Sequence, residues 1–540
     1  MKDSLFFRWV CLPALFAIVL TSQTMAAEFH VTDATGFQNA LITAQSNGQD
    51  DTVYLAAGTY GGNFTYLPPG TEHKSLTIIG ESGISAEDII LDGQNSGSVF
   101  YLFDWSEGDV AELTIQGMSI VNGNGNKSSE GGGILAVLAA YNITIKDCII
   151  RNNTGSRNGG GIYMLNQNTP PLTLTLENNR ILNNIIIEDE SGVCQGGGVT
   201  MGSREGTYII RNNIIAKNSA QGTTDPSGGG IKVGWHYDDV IHLFGNTIYG
   251  NHAAKGGGIF VQNGNTTNVY NNIIYGNTAS EGGDMHLAEV ETNNGYNNNY
   301  SSMFGTWTTS SGNLNTDPLF VSTKNNDYHL RPNSPMVNAG KSDVPSPPGF
   351  PVTDFEGDPR SYGESPDMGA DEYAGDKYYP EEGTFGTQIV FLGSGFGSKK
   401  GKVLVGSSAL KVLEWKGETI RCQLTKALDP GTYNLTVQPK GTDQIVIDNA
   451  FTLKAPEIRS INPTSGSAGD EITLYGSFIG TKKGKITLGE KNCRIKAWIM
   501  DAVTGKSEIH FVVPKGLAIG THELKVINGV GSDTVDFTVD

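Results

Sequence analysis

Cysteine is scarce in this chain, and its scarcity excludes much. Of five cysteines in 540 residues, Cys11 lies in an N-terminal apolar run, and Cys148, Cys194, Cys422 and Cys493 are scattered singly. So few in so long a chain exclude a disulfide scaffold. With no CxxC and no His/Cys cluster, a zinc site lacks its ligand spacing. Each lone cysteine reads as a small buried apolar residue. Basic side chains are also few, 37 against 56 acidic ones, for a net charge of −19. The excess is local: residues 1–377 hold 18 basic and 39 acidic side chains, residues 378–540 hold 19 and 17. An acidic N-terminal region excludes nucleic acid as a partner. It disfavours long polyanions unless a basic patch or bound Ca2+ intervenes, and Ca2+ is the one cofactor left open. Long hydrophobic runs are missing too. The run Trp9–Leu20 follows Lys2 and Arg8 and precedes Thr24-Met25-Ala26-Ala27. It falls short of the ~20 residues a membrane helix needs and has the form of a secretory signal over residues 1–27. The expectation is an exported, monomeric chain with no transmembrane segment.

Glycine, by contrast, is abundant and ordered. Gly131-Gly132-Gly133-Ile134 recurs as Gly159-Gly160-Gly161-Ile162, Gly196-Gly197-Gly198-Val199, Gly228-Gly229-Gly230-Ile231 and Gly256-Gly257-Gly258-Ile259, with Gly282-Gly283-Asp284-Met285 as a decayed copy. In step runs an Asn-x-Ile-x-x-Asn motif: Asp147/Ile149/Asn152, Asn179/Ile181/Asn184, Asn213/Ile215/Asn218, Asn246/Ile248/Asn251 and Asn272/Ile274/Asn277. A repeat of roughly 30 residues with strand-like runs predicts stacked coils of a solenoid. Ile149, Ile181, Ile215, Ile248 and Ile274 should then form one interior row. The triglycine reads as a structural corner where positive φ and close backbone approach are needed. It is not a phosphate cradle, because neither a Lys-Ser/Thr pair nor a helix comes after it. The Asn motif reads as a ladder in which each side-chain amide bonds the next coil. Before the repeats, Phe37–Ala44 carries one apolar helical face, as a solenoid cap would.

Residues 378–540 hold a second repeat. Pro380, Gly383, Gly386, Gly393 and Lys399-Lys400-Gly401-Lys402 recur as Pro463, Gly466, Gly469, Gly476 and Lys482-Lys483-Gly484-Lys485, and Trp415 recurs as Trp498. Two small β-sandwiches, separable from the solenoid, are expected.

These motifs carry three resemblances. The opening FQNALITA and DTVYLAAGTY with the GGGI and Asn repeats resembles right-handed parallel β-helix proteins of the pectate-lyase-like type. DPLF, DYHL, NAG, GDPR and PDMGADEY between Asp317 and Tyr373 resemble the choice-of-anchor Q segment that closes many bacterial β-helices. Pro463-Thr464-Ser465-Gly466 and Ile472-Thr473-Leu474-Tyr475-Gly476 resemble IPT/TIG immunoglobulin-like domains. The predicted class is all-β: a right-handed parallel β-helix with an N-terminal cap over 28–312, a terminator over 313–377, and sandwiches over 378–455 and 456–540. The resemblance implies a secreted or surface-displayed bacterial protein and no particular reaction, because the β-helix hosts many functions.

The residue sets of the known enzymes of that type are absent. There is no Gly-His-Gly and no Arg-x-Pro-x-x-Arg, and Asp238-Asp239 is the one Asp-Asp pair inside the repeats. That pair reads as solvated turn residues, with a Ca2+ site as the alternative. The residue after each GGGI column must point outward. It places Tyr163, Lys232, Phe260 and His286 on one face, with Trp235 beside them, where aromatic rings and cations could hold a sugar. Non-catalytic binding of a polysaccharide or another surface component is the leading expectation. The alternatives are a uronate polysaccharide lyase, before a glycoside hydrolase, using Lys232, Arg204 and His236, and a rigid stalk.

Overall fold

The computed structural model describes residues 26–540 apart from 71–72, 107, 126–130, 167–171, 189–191, 235–237, 263–264, 288–291, 332, 345–348, 361–364, 374–376, 394–395, 398, 417–418, 442–443 and 501–505. The expected signal run falls outside these residues. Among the described residues no helix is long and apolar enough to cross a membrane.

The cap comes first. Asp33 accepts the Gly36 N–H at 2.7 Å and starts a helix over Ala34–Ala44. Such a cap satisfies one of the free amides of a helix start. Phe37, Ala40, Leu41 and Ala44 are buried, and the Phe37 ring meets Tyr60, Phe64 and Phe100. The helix thus closes the open apolar end of the solenoid.

The solenoid itself is a parallel β-helix of three long sheets. The first has 11 strands, from Ala27–Val31 to Thr309–Ser311. The second has nine, from Phe64–Tyr66 to Met303–Phe304, and the third nine, from Gly58–Gly61 to Asn299–Tyr300. In the second sheet Ile134, Ile162, Val199, Ile231, Ile259 and Met285 pair coil by coil and point inward, as expected. In the third, Ile181, Ile215, Ile248 and Ile274 form the expected row, but its preceding member is Ile150, not Ile149. Ile149 pairs with Arg180 in the neighbouring column. The first copy of the Asn motif therefore begins at Cys148, whose N–H donates to Asn179, and ends at Asn153. A one-residue slip moves a side chain to the other face of a strand, and the adjacent Asn152 and Asn153 permit either reading of the sequence.

Two Asn ladders run along the solenoid. One comprises Asn179, Asn213, Asn246, Asn272, Asn298 and Asn313 in succession. In each step both the backbone N–H and Nδ2 donate to the next Oδ1 at 2.9–3.2 Å. The other joins Asn153, Asn184, Asn218, Asn251 and Asn277, and ends on Asp284. The triglycine corner lies beside it. Gly197 shows why glycine is required: a Cβ there would stand 2.4 Å from both Gly229 O and the Ser219 carbonyl carbon.

The far end is closed by Tyr300, Met303 and Trp307, which pack on the core, the Trp307 N–H donating to Tyr300 Oη at 2.9 Å. The segment expected to terminate the solenoid does something else. Its described residues between Leu314 and Tyr373 form a strap over the outer side of the third sheet. Phe320, Tyr328, Leu330, Met336, Met368 and Ala370 bury Leu182, Ile214, Ala216 and Ile273. The strap has little regular structure, so its acidic motif residues hold its backbone. Asp354 accepts the N–H groups of Glu356, Asp358 and Glu372, Asp367 those of Asn338 and Tyr373, and Asp371 that of Leu330. Arg360, 5 % exposed, donates to Asn212 of the solenoid and to Ala370 O.

Two sandwiches complete the chain. Each packs a four-stranded sheet on a five-stranded one with the same strand order, as duplication requires. The repeated motif has a packing role: the Trp415 and Trp498 indoles donate to Gly397 O and Gly480 O, and each ring covers the glycine of a Lys-Lys-Gly-Lys turn. The modules are tied more closely than expected. Asn528 donates to Thr384 Oγ1, and Lys482 lies over the Phe385 ring across their junction. Val390 and Leu392 of the first pack on Val321 of the strap. The second folds back to the solenoid, with Arg459 3.6 Å from Asp88.

Candidate ligand-binding face

The outward column of the second sheet reads Tyr101, Leu135, Tyr163, Thr200, Lys232, Phe260, His286, Phe304 in register from coil to coil. Alternation places all eight outside the core, as the sequence predicts. Outside the core is not the same as exposed. Tyr163 is only 2 % exposed and packs with Leu135, Val137 and Leu165 in an apolar cluster of its own, edged by Tyr101 and Phe103. This corrects the expectation of an open sugar platform at Tyr163: the ring is already covered.

Lys232 is likewise buried, at 1 % exposure, and its ammonium donates to Gly234 O at 2.8 Å. Burial pushes it down to about 7, against the opposing pull of the nearby Asp239 carboxylate. Desolvation disfavours the charged form, and an opposite charge restores it. Asp239 is fully buried, which corrects its reading as a solvated turn residue. It accepts the Gly206 N–H at 2.8 Å and the Tyr208 hydroxyl at 3.1 Å, both from the preceding coil. Burial, then the charge and hydrogen bond of Asp239, push the Tyr208 phenol well up. Asp238 does stand exposed, at φ 69°, so the two carboxylates point to different surroundings and form no paired site. Arg204 is exposed. Trp235 and His236 lie outside the described residues.

The column changes character beyond Lys232. Phe260, His286 and Phe304 stack face to face along the solenoid axis, with centroids 4.7 and 4.5 Å apart and planes within 23° and 17°. Phe304 closes the stack at 45 % exposure. Burial between the rings pushes His286 below the usual imidazole value, against the pull of Glu281. Its Nδ1 is buried with no hydrogen-bond partner among the described residues, and Glu281 lies 3.7 Å away. Phe304 was missed by sequence reasoning because no triglycine precedes it. Its signal is the pair Met303-Phe304, which repeats the inward–outward order of Met285-His286. At the other end, Tyr101, Phe103 and Trp105 form a second aromatic run, with Trp105 47 % exposed.

Among the described residues, one group has metal-ligating chemistry: His329, Glu356 and Asp371 in the strap. Both imidazole nitrogens are already engaged, Nδ1 with Asp327 at 2.7 Å and Nε2 with Glu356 at 2.8 Å. That arrangement suits an imidazolium between carboxylates.

Residues 376–453 and 456–539 match the IPT/TIG domain family. The solenoid is thus joined to two IPT/TIG domains. Fibrocystin-L of Mus musculus is 27 % identical over 155 residues, which is 28 % of this chain and 3 % of that protein. The chain thus spans a small fraction of the relative it matches. Among solved structures, the plexin A4 extracellular region is 12 % identical with a TM-score of 0.23, over 30 % of this chain and 18 % of that one. The surface glycan-binding protein PbSGBP-B of Prevotella bryantii is 18 % identical with a TM-score of 0.16, over 28 % and 36 %.

Proposed function

We propose that this is an exported, surface-associated protein that binds polysaccharide without cleaving it, with the sugar docking at the aromatic end of the second sheet. The observation that carries the reading is the Phe260–His286–Phe304 stack: its last ring is 45 % exposed beside a buried imidazole nitrogen with no hydrogen-bond partner among the described residues. A sugar ring offers a C–H face to Phe304, and such a contact rewards an aromatic face that is half wet. The choice-of-anchor Q resemblance of the strap and the two IPT/TIG domains support a place outside the cell. The test is pull-down by the full chain on a panel of neutral and uronate polysaccharides. Phe304→Ala should weaken capture by about 0.5–1.5 kcal/mol, and Tyr163→Phe should leave it unchanged. Capture that survives Phe304→Ala intact removes this site.

A second reading has one feature in its favour. Lys232, held near 7 by burial, has the pKa of a general base for a uronate lyase. Its ammonium is covered and committed to Gly234 O, so substrate would first have to displace what covers it. New unsaturated ends that appear on a uronate polymer with the full chain, and vanish with Lys232→Ala, would establish the lyase in place of the binder.

A further inference from the structure

A cleft of about 420 Å3 separates the N-terminal coils of the third sheet from the second IPT/TIG domain. One wall is the outer side of strands Gly58–Gly61, Ile89–Asp92, Ser119–Val121 and Ile149–Arg151. The other is the sheet of Glu457–Asn462, Glu471–Ser477, Arg494–Met500 and Lys506–Val512. It has the size of small-ligand sites, which run from roughly 300 to 1,000 Å3. Three observations mark it as more than a gap between domains. Ile499 lines it at 54 % exposure, a large apolar side chain left wet in a concave place. Ser507 lines it at 5 % exposure, and its Oγ has no hydrogen-bond partner among the described residues. Buried hydroxyls are normally satisfied, so this one lacks a partner that a ligand can supply. Tyr475 stands half-buried between the walls. Burial, then the charges of Glu508 and Asp92, push its phenol up to about 12, which keeps it a hydrogen-bond donor.

The lining also has a sign. Glu87, Asp88, Asp92, Glu457 and Glu508 face it against Arg151 and Arg459, with Arg180 paired to Glu87 from beside the lining, so that carboxylates still outnumber guanidinium groups. Arg459 is drawn to Asp88 on the opposite wall and to Glu457 on its own. A negative concave site between low-dielectric walls attracts cations and repels carboxylates. Neutral partners for several hydroxyls are at hand in Thr59, Asn122, Asn152 and Ser477. We propose that this cleft is a saccharide site distinct from the aromatic stack, and that it takes one or two units of an amine-bearing sugar. The phenol and amides hold the hydroxyls, the Tyr475 and Ile499 faces cover the ring, and the carboxylate field receives the ammonium. A uronate unit is rejected by the same field.

The experiment is calorimetric titration of the full chain with three oligosaccharide probes: glucosamine oligomers, their N-acetylated counterparts and oligogalacturonate. The expected result is binding of the amine form, at least tenfold weaker binding of the acetylated form and none of the uronate. Glu508→Gln removes the charge of a half-exposed side chain while keeping an oxygen that can accept from His510 Nε2; it should weaken the amine form about tenfold, and so should Tyr475→Ala. Phe304→Ala should leave it unchanged, which separates this site from the one proposed above. Equal or tighter binding of the uronate, no binding of any probe, or indifference to both Glu508→Gln and Tyr475→Ala would overturn the proposal. Tighter capture of a lysine-rich peptide than of any sugar would overturn it as well, by making the cleft a peptide site.

Discussion

Replacing Asn213 by alanine tests whether the Asn ladder is the device that joins coil to coil. Asn213 is fully buried. Its Nδ2 donates to Leu176 O, Arg211 O and Asn246 Oδ1 at 2.9, 2.9 and 3.0 Å, and its Oδ1 accepts from Asn179 N and Nδ2 at 2.9 and 3.0 Å. The losses are unequal. Asn246 Oδ1 keeps the Asn213 N–H at 3.0 Å, and Asn179 Nδ2 keeps Ile145 O at 2.8 Å. The Asn179 N–H has no other acceptor among the described residues. A buried donor left unsatisfied costs about 1–3 kcal/mol, and each remaining bond contributes about 1 kcal/mol net. The sum for Asn213→Ala is about 3–5 kcal/mol. At the edge of the ladder Asn313 is only half-buried, so Asn313→Ala should cost about 1 kcal/mol by the same reasoning. Coils contact only their neighbours, so the loss should appear locally. The assay is urea unfolding combined with amide hydrogen exchange. Faster exchange should concentrate around Asn179, Asn213 and Asn246. A loss below about 1 kcal/mol with unchanged protection would mean that the ladder is ornamental, or that water replaces the side chain without cost.

The same geometry yields other outcomes. Gly197→Ala places a Cβ 2.4 Å from backbone of the next coil, and urea unfolding should register a loss of about 1–3 kcal/mol. Arg360→Met leaves buried Glu372, already pushed up to about 8 by burial and Asp367, without its guanidinium at 3.7 Å. The strap should loosen by about 3 kcal/mol, read as faster proteolysis within residues 341–373. Burial alone would lower His329, but Asp371, Asp327 and Glu356 outweigh it and hold the imidazolium well above its usual value. The stability from a group whose pKa is raised in the fold is complete below its unfolded value of about 6.5 and is lost as pH rises through the folded value. Thermal unfolding of the full chain should therefore weaken at alkaline pH, and His329→Gln should flatten that dependence.

Much of the fold was legible because solenoid contacts are periodic. The GGGI columns predicted every pair in the second sheet from Ile134 to Met285, since one corner repeated in sequence repeats in space. The slip at Ile149 arose where two adjacent Asn made either register acceptable. The strap was misread because its defining contacts are remote: Arg360 reaches Asn212, and Ala370 reaches Thr247. Nothing in a Pro/Gly/Asp-rich segment says whether it closes an end or covers a side. The site was less legible for a related reason. Alternation tells inward from outward, yet Tyr163 and Lys232 are outward and buried. Asp239 resembled a turn residue until the preceding coil brought Tyr208 and Gly206 to it.

The three outward faces show how the chain decides which surface stays open. The first sheet presents Thr77, Thr114, Thr144 and Thr175 in one register, continued by Ile209, His242, Asn268 and Asn294. Threonine suits a half-buried strand, and this column is mostly polar rather than apolar. The third sheet presents Leu182, Ile214, Ala216 and Ile273, and the strap covers them. The second sheet is divided. Leu135, Val137, Tyr163 and Leu165 cover one another, whereas Phe304 at one end and Trp105 at the other remain 45 % and 47 % exposed. A chain that invests a long strap in covering one apolar face gains nothing from leaving large rings wet on another, unless those rings meet something. Ile499, 54 % exposed in the cleft, obeys the same logic at the opposite end of the solenoid. Contiguous exposed apolar patches mark binding surfaces. On that argument the two proposed sites lie where covering stops, at the aromatic end of the second sheet and in the cleft beneath the second IPT/TIG domain.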